Sequence, residues 1–189
     1  MPESFVFLEL IDPEINGLLY SIREAANGSA ENTNIHITLR GPYAKPVPAA
    51  QLKNIERRLL QDVLYIGNPG EFRVQDTSVV YLRVRHPKLR AVSWKPDFPP
   101  KEFGFNPHIS LYIGRDFKRA DRLLEFLRGE RIELICQNFK VTNYVRKAPR
   151  LLSDDQNIQF FYPRLISSGR VRSDLLSRLK RALGPMSSV

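Results

Sequence analysis

Hydrophobic and polar residues alternate in several short stretches of the chain, a pattern typical of half-buried strands. In other stretches the apolar residues recur with a helical period, as Ile15, Leu18 and Ile22 do after the capping pair Asp12-Pro13. The pattern predicts strands over 4–11, 34–40, 63–66, 78–85 and 108–113, one or two strands over 132–145, and helices over 13–27, 49–61 and 117–127. A turn is expected at Asn68-Pro69-Gly70, between two of the strands.

The order of these elements repeats along the chain. A strand and a helix precede the strand over 34–40, and a helix follows it. Strands precede the segment over 108–113, and a helix and further strands follow it. This order indicates an α+β duplication, in which two small antiparallel sheets face each other across a central cleft with the helices outside.

The two repeated strands carry tetrads of the same kind, His36-Ile37-Thr38-Leu39 and His108-Ile109-Ser110-Leu111. Because alternate residues of a strand share a face, each histidine projects together with the hydroxyl residue two positions later. The aliphatic residues between them point to the core. The same alternation places Asn34 and Arg40 on the face of His36, and Asn106 and Tyr112 on the face of His108.

The segment over 86–107 has no regular pattern, and its prolines alternate with Trp94, Phe98, Phe103 and Phe105. Long loops of this kind are usually functional or disordered. His86, at its start, has no hydroxyl residue two positions later, and we expect it at the surface.

The composition changes after Arg146. We expect a linker over 147–150, a further strand over 158–162 and an amphipathic helix over 173–183, with Ser173 as its cap and Gly184 as its stop. The chain thus divides into a domain over 1–146 and a basic C-terminal extension over 147–189 that packs on it.

The formal net charge of +9 favours partners that carry phosphates, because neutralising phosphates releases their counterions. A single cysteine, Cys136, excludes an internal disulfide and a cysteine-rich metal site. No apolar run approaches the ~20 residues that span a bilayer, and the N-terminus lacks the basic region of a signal peptide. We expect a cytoplasmic monomer that does not associate with membranes and acts on RNA or a nucleotide.

Two imidazoles with adjacent hydroxyls are suited to acid–base chemistry on a phosphate. The unperturbed pKa of histidine, ~6.5, allows one ring to be neutral and the other protonated near neutral pH. One ring can deprotonate water or a ribose hydroxyl while the other protonates the leaving oxygen. Thr38 and Ser110 can donate hydrogen bonds to the non-bridging phosphate oxygens. No carboxylate–histidine cluster has the spacing of a metal site, and we expect neither a metal nor another cofactor.

With these two motifs the chain resembles the two-histidine (2H) phosphoesterase superfamily, which includes bacterial 2′-5′ RNA ligase-like proteins and cyclic phosphodiesterases. That superfamily carries two His-x-Ser/Thr-hydrophobic motifs, matched here by the two tetrads. The resemblance covers about residues 4–145, including the opening strand and helix. It implies a bilobal fold with the motifs facing across a cleft, and metal-independent chemistry on 2′,3′-cyclic phosphates or 2′-5′ phosphodiesters. It also implies that His36 and His108 are the catalytic pair.

Supporting residues are suggested by position and type. Arg40 is a further candidate for holding a phosphate. Aromatic residues that could stack on a base are Tyr43, Trp94, Phe103, Phe105 and Tyr112. The sequence does not assign the acid and base roles or the substrate.

Other functions stay open at this point. A non-catalytic RNA- or nucleotide-binding module would keep the cleft without turnover. RNA ligation across the same bond would use the same four side chains. An interaction protein that works through its basic tail would not need His36.

Overall fold

The computed structural model describes residues 3–28, 34–95, 104–146 and 169–184. Its elements, in chain order, are β1 Glu3–Leu10, α1 Pro13–Asn27, β2 His36–Tyr43, α2 Ala49–Leu59, β3 Leu64–Val74, β4 Thr77–Arg85, α3 Leu89–Val92, β5 His108–Gly114, α4 Phe117–Glu130, β6 Leu134–Cys136, β7 Phe139–Arg146 and α5 Gly169–Leu183. The predicted linker over 147–150 and strand over 158–162 lie outside the described residues.

The strands form two antiparallel sheets. Sheet 1 has the order β2-β1-β7, and sheet 2 has the order β5-β4-β3-β6. The predicted α+β class with two antiparallel sheets is confirmed. The two strands predicted to carry the tetrads, β2 and β5, are edge strands of different sheets.

The core is continuous between the two sheets and their helices. The aliphatic residues of both tetrads lie in it fully buried: Ile37, Leu39, Ile109 and Leu111. Helix α2 packs on β7, α1 on β5, and α4 on β3 and β4. Burying each large aliphatic side chain contributes about 1.5–3 kcal/mol, so the alternation seen in the sequence fixes which face of each motif strand is turned inward.

Helix α1 begins and ends where the sequence predicts. The side chain of Asp12 accepts hydrogen bonds from the backbone N–H groups of Glu14 and Ile15, both at 3.1 Å, and Pro13 occupies the first turn. Gly28 closes the helix with a φ of 75°, in the left-handed region that suits glycine. The cap and the stop are therefore both local properties of the sequence.

Strand β3 corrects one prediction. The chain continues as a strand through Asn68-Pro69-Gly70, where a turn was predicted, and reverses instead at Gln75 and Asp76. A register shift between Gly67 and Pro69 accommodates the proline, since a bulge removes the need for its missing N–H.

Helix α5 packs against α1 and α4, with Leu179 and Leu183 buried in the core. Its end at Gly184, which has a φ of 68°, is as predicted. The predicted cap is wrong, because the helix begins at Gly169 and Ser173 lies inside it. None of the helices among the described residues is long and apolar enough to cross a membrane.

Candidate active site

The first motif strand pairs with β1 in a register that defines the surroundings of His36. His36 lies opposite Glu9, and Thr38 lies opposite Phe7. Cross-strand partners share a face of a sheet, so these four side chains form one patch. Two core residues, Leu8 and Ile37, are paired between them on the other face.

The second motif strand pairs with β4 in the same register. His108 lies opposite Arg83, and Ser110 lies opposite Tyr81. Their partners on the core face are Leu82 and Ile109. The two motifs therefore share their strand pairing as well as their sequence, which supports the prediction of two related halves.

Both strand pairs also carry a bulge at the same place. In sheet 1 the register shifts after Thr38, so that Arg40 lies opposite Val6. In sheet 2 it shifts after Ser110, so that Tyr112 lies opposite Val80. Val6 and Val80 are core residues, and the alternation of faces is broken at this point of each strand.

The bulges correct two predictions about the polar faces. Arg40 does not share the face of His36 and Thr38; its Nε donates a hydrogen bond of 2.6 Å to the carbonyl of Val92. Tyr112 is 5% exposed and packs in the core, so the prediction that it stacks on a base is wrong. Ile113, expected in the core, is instead 52% exposed.

The two motif histidines are held in the same tautomer by the same contact. Nδ1 of His36 lies 2.7 Å from the carbonyl oxygen of Asn34, and Nδ1 of His108 lies 2.7 Å from that of Asn106. A carbonyl oxygen only accepts, so Nδ1 carries the proton in both rings and donates it. Nε2 of each neutral ring is left with a lone pair.

Four polar groups of the motifs have no hydrogen-bond partner among the residues that the structure describes. They are Nε2 of His36, Nε2 of His108, and the hydroxyls of Thr38 and Ser110. None of the four is sealed from solvent, since the one buried unpaired side-chain atom in the described chain is Oγ of Ser4. The four groups are thus available to a ligand.

The third histidine differs from this pair. His86 is 8% exposed, so the prediction that it lies at the surface is wrong. Its Nε2 donates to the carbonyl of Leu59 at 2.9 Å, and its Nδ1 accepts from the N–H of Lys88 at 3.1 Å. Both ring nitrogens of His86 therefore have hydrogen-bond partners, and its proton is on Nε2 rather than on Nδ1 as in the motif histidines. These bonds link the end of α2 to the segment after β4.

Both motif histidines pack against aromatic rings. The ring of Phe7 stacks on His36 with centroids 3.9 Å apart, and the ring of Tyr144 stacks on Phe7 at 4.8 Å. His108 lies 5.0 Å from the ring of Tyr81 and 5.4 Å from that of Phe72. These rings restrict the orientation of the two imidazoles.

Burial changes the protonation of His36. Desolvation lowers its pKa from 6.5 to about 4. The hydrogen bond to Asn34 and the carboxylate of Glu9 oppose the shift, whereas the charges of Arg23 and His108 add to it. The influence of His108 places the two motifs within electrostatic reach of each other, in agreement with the contacts between β2 and β5.

The residues that lie opposite the two histidines across the strands have opposite charge, Glu9 for His36 and Arg83 for His108. Glu9 accepts a hydrogen bond from Nδ2 of Asn34 at 2.9 Å and pairs with Lys140. Burial raises the pKa of Glu9, but hydrogen bonds from Thr142 and Asn34 and the charge of Lys140 outweigh it, so the net pKa is below 4.5 and the carboxylate is ionised.

The corresponding position in the second half is a cation. Nε of Arg83 donates to the side chain of Asn106 at 3.2 Å. Burial lowers the pKa of His108, its hydrogen bond to Asn106 opposes this, and the charge of Lys95 lowers it further. The cross-strand partner is therefore an anion at His36 and a cation at His108, while the charge of Arg23 also acts on His36.

Arg23 is a component of this site that the sequence reasoning missed. It lies on α1 and is 3% exposed, and it donates to the carbonyl of Ser110 from Nη2 at 3.0 Å and from Nε at 3.3 Å. It thus joins the second motif to the region of His36, whose pKa its charge lowers. The available signal was an arginine one helical turn after Leu19 on the buried stripe of α1.

Titration of His36 gives a prediction for stability. The unfolded chain takes up a proton at His36 with a pKa of 6.5 and the folded chain at about 4. The free energy of unfolding therefore decreases as the pH falls between these values. From pH 7 to pH 5 we expect a loss of about 2 kcal/mol from this residue.

Urea unfolding at the two pH values, on the wild type and on His36→Gln, measures this contribution. Between pH 7 and pH 5, we expect the free energy of unfolding of His36→Gln to fall by about 2 kcal/mol less than that of the wild type. Equal decreases in the two proteins would show that His36 is not desolvated as described.

The base-stacking candidates have different positions. Tyr43 and Trp94 lie together, with ring centroids 5.8 Å apart. Phe105 packs partly buried against the core and beneath the guanidinium of Arg90. Phe103 lies outside the described residues.

Among the residues that the structure describes, no three His, Cys, Asp or Glu side chains are grouped as metal ligands. Comparison with family models, curated proteins and solved structures found no match to the chain.

Proposed function

We propose that this chain is a phosphoesterase of the two-histidine type, which opens a 2′,3′-cyclic phosphate or cleaves a 2′-5′ phosphodiester in RNA or a nucleotide without a metal. One observation carries the proposal. Two histidines, each with a hydroxyl on the same strand face, have identical backbone contacts, identical cross-strand register and unpartnered Nε2 atoms. A structural role for either histidine would not require its Nε2 and the adjacent hydroxyl to stay unpaired in both halves.

The reaction needs one ring to accept a proton and the other to donate one. A neutral imidazole takes a proton from water at Nε2, and the oxygen attacks the phosphorus. The bond from phosphorus to the leaving ribose oxygen breaks, and that oxygen receives the Nε2 proton of the second, protonated ring. The products are a phosphomonoester and a free hydroxyl. The charge that develops on the non-bridging oxygens is met by the hydroxyls of Thr38 and Ser110.

We assign the base role to His36 because a carboxylate, Glu9, lies opposite it across the strands, although the charge of Arg23 lowers the pKa of His36 by more than Glu9 raises it. A base becomes positively charged in the transition state, and Glu9 is the carboxylate that raises the pKa of His36. An acid loses its positive charge, and Lys95 is the cation that lowers the pKa of His108. His108 is accordingly the acid.

This assignment predicts a pH dependence. Both histidine pKa values are lowered, so kcat/KM reaches its maximum below pH 6.5. Replacing Glu9 by Gln removes the carboxylate, which lowers the pKa of His36 further. We expect the ascending limb of the profile to move to lower pH and the maximal rate to fall.

The matched control is Glu3→Gln, on the same strand, because Glu3 is exposed and pairs with Arg146 rather than with the site. Its profile should coincide with that of the wild type. A Glu9→Gln profile in which the descending limb moves would reverse the assignment of acid and base.

The experiment that tests the function is an assay of the full chain in excess chelator. Its substrates are 2′,3′-cyclic mononucleotides, 2′-5′ oligonucleotides and oligonucleotides that end in a cyclic phosphate, and the position of the product phosphate is determined. We expect turnover of at least one of them. Binding without turnover across the whole panel would instead identify a non-catalytic binding module, and joining of ends would identify a ligase.

A further inference from the structure

A pocket that does not include the motif histidines lies at the carboxyl end of β2. It is an open cavity of about 510 Å³, bounded by the end of the strand, the chain that leads into α2, and Trp94. Its lining combines two aromatic rings, Tyr43 and Trp94, with two cations, Arg40 and Lys45. The described residues that line it include no carboxylate.

Trp94 is exposed yet held in a fixed position. It is 59% exposed, and its ring is tilted by 39° against that of Tyr43 at a centroid distance of 5.8 Å. The backbone N–H of Trp94 donates to the carbonyl of Leu39 at 2.9 Å, and the backbone carbonyl of Trp94 accepts from the N–H of Gly41 at 3.2 Å. The backbone of Trp94 thus extends the free edge of β2, so this large apolar surface is presented to solvent by a sheet rather than by a free loop.

The two cations are not neutralised within the described part of the chain. Nε of Arg40 donates to the carbonyl of Val92, and the Nη atoms of Arg40 have no partner among the described residues. Lys45 is exposed and forms no ion pair with a described residue. A flat apolar surface beside two unpaired cations is complementary to a base that carries a phosphate.

The pocket is separate from the histidine site. Arg40 and Tyr43 lie four and seven residues after His36 on β2, or about 13 to 23 Å along the strand. The bulge also turns Arg40 away from the face of His36. Thr38, which the proposed reaction places on the phosphate, is about 7 Å from Arg40 and about 17 Å from Tyr43 along the strand, and a base attached to the reacting ribose would have to cross to the other face of the strand to reach the pocket. A nucleotide bound here therefore lies further along the same strand of RNA.

We propose that the pocket formed by Arg40, Tyr43, Lys45 and Trp94 binds a nucleotide of an RNA strand at a distance from the reacting phosphate. The inference rests on the proposed function and specifies its substrate, which is an oligonucleotide rather than a cyclic mononucleotide. The net charge of +9 agrees with a strand that crosses the surface between the two sites.

Trp94 is the single tryptophan of the chain, so its fluorescence reports directly on the pocket. We expect a short single-stranded RNA to quench this fluorescence at concentrations at which AMP does not. Added salt should weaken the binding. Tyr43→Leu and Lys45→Ala should each weaken it by about 10-fold. The matched control is Tyr65→Leu, which removes an exposed aromatic ring from β3 outside the pocket.

Kinetics complete the test. Trp94→Leu should raise KM for an oligonucleotide that ends in a cyclic phosphate by about 10-fold or more, and should raise KM for a cyclic mononucleotide by much less. If the protein turns over substrates with no preference for longer RNA, and RNA does not change the fluorescence of Trp94, the proposed nucleotide-binding role of the pocket is wrong while the phosphoesterase proposal stands. If RNA quenches the fluorescence but no substrate is turned over, both the phosphoesterase proposal and the inferred oligonucleotide substrate are wrong. The pocket would then be an RNA-binding site only.

Discussion

Replacing either motif histidine by alanine is expected to reduce kcat by about 10²–10⁴-fold, the contribution typical of a general acid or base. Nε2 of His36 and Nε2 of His108 are the two proton-transfer groups of the proposed reaction, and neither has another partner in the described chain. KM should change little, because each proton is transferred only in the transition state. The double variant should lose little more than the worse single variant, since the two rings act in one step.

The third histidine provides the control for these variants. His86→Gln keeps a side-chain N–H that can donate to the carbonyl of Leu59, and it should keep a rate close to that of the wild type. Thermal unfolding of all the variants shows whether they are folded. A folded His36→Ala or His108→Ala protein with the wild-type rate would contradict the assignment.

The second large effect is expected at the hydroxyls. Thr38→Val and Ser110→Ala remove one hydroxyl each and leave a side chain of similar or smaller volume. We expect kcat to fall by about 10²–10³-fold in each variant, the loss measured when one donor to a developing oxyanion is removed. The pH profile should keep its shape, because the histidines still titrate.

Steady-state kinetics separate this role from a binding role. A loss in kcat at constant KM means that the hydroxyl acts in the transition state. An increase in KM alone, or no change, would mean that Thr38 and Ser110 do not contact the reacting phosphate. A difference between the two variants would show which motif carries the greater share of the charge.

The sequence predicts those features of the site that depend only on residues close together in the chain. Period-two alternation places each histidine and its hydroxyl on one face, because burying Ile37 and Leu39 or Ile109 and Leu111 leaves no other arrangement. The caps of α1 are likewise local. The histidine tautomers follow from a local backbone contact, since in both motifs Nδ1 donates to the carbonyl oxygen of the residue two positions earlier.

The bulges could not be predicted in this way. They depend on how Val6 and Val80 of the neighbouring strands pair, which alternation within one strand does not reveal. Their effect is confined to the residues after the motifs. Arg40 leaves the histidine face and joins the pocket at the carboxyl end of β2, and Tyr112 enters the core.

The partners of the histidines come from distant parts of the chain for the same reason. Phe7 and Glu9 reach His36, and Tyr81 and Arg83 reach His108, only through strand register. Arg23 reaches the second motif from a helix. Sequence alternation therefore identifies the groups that we propose to react, whereas tertiary pairing determines the charged residues beside them.

The decisive measurement is the rate at which the full chain opens the cyclic phosphate at the end of a short RNA, in excess chelator. We expect repeated turnover to a phosphomonoester, its loss in the folded His36→Ala/His108→Ala double variant, and no gain in rate when divalent metal is restored. Turnover by the double variant, or turnover by the wild type only after metal is added, would contradict it.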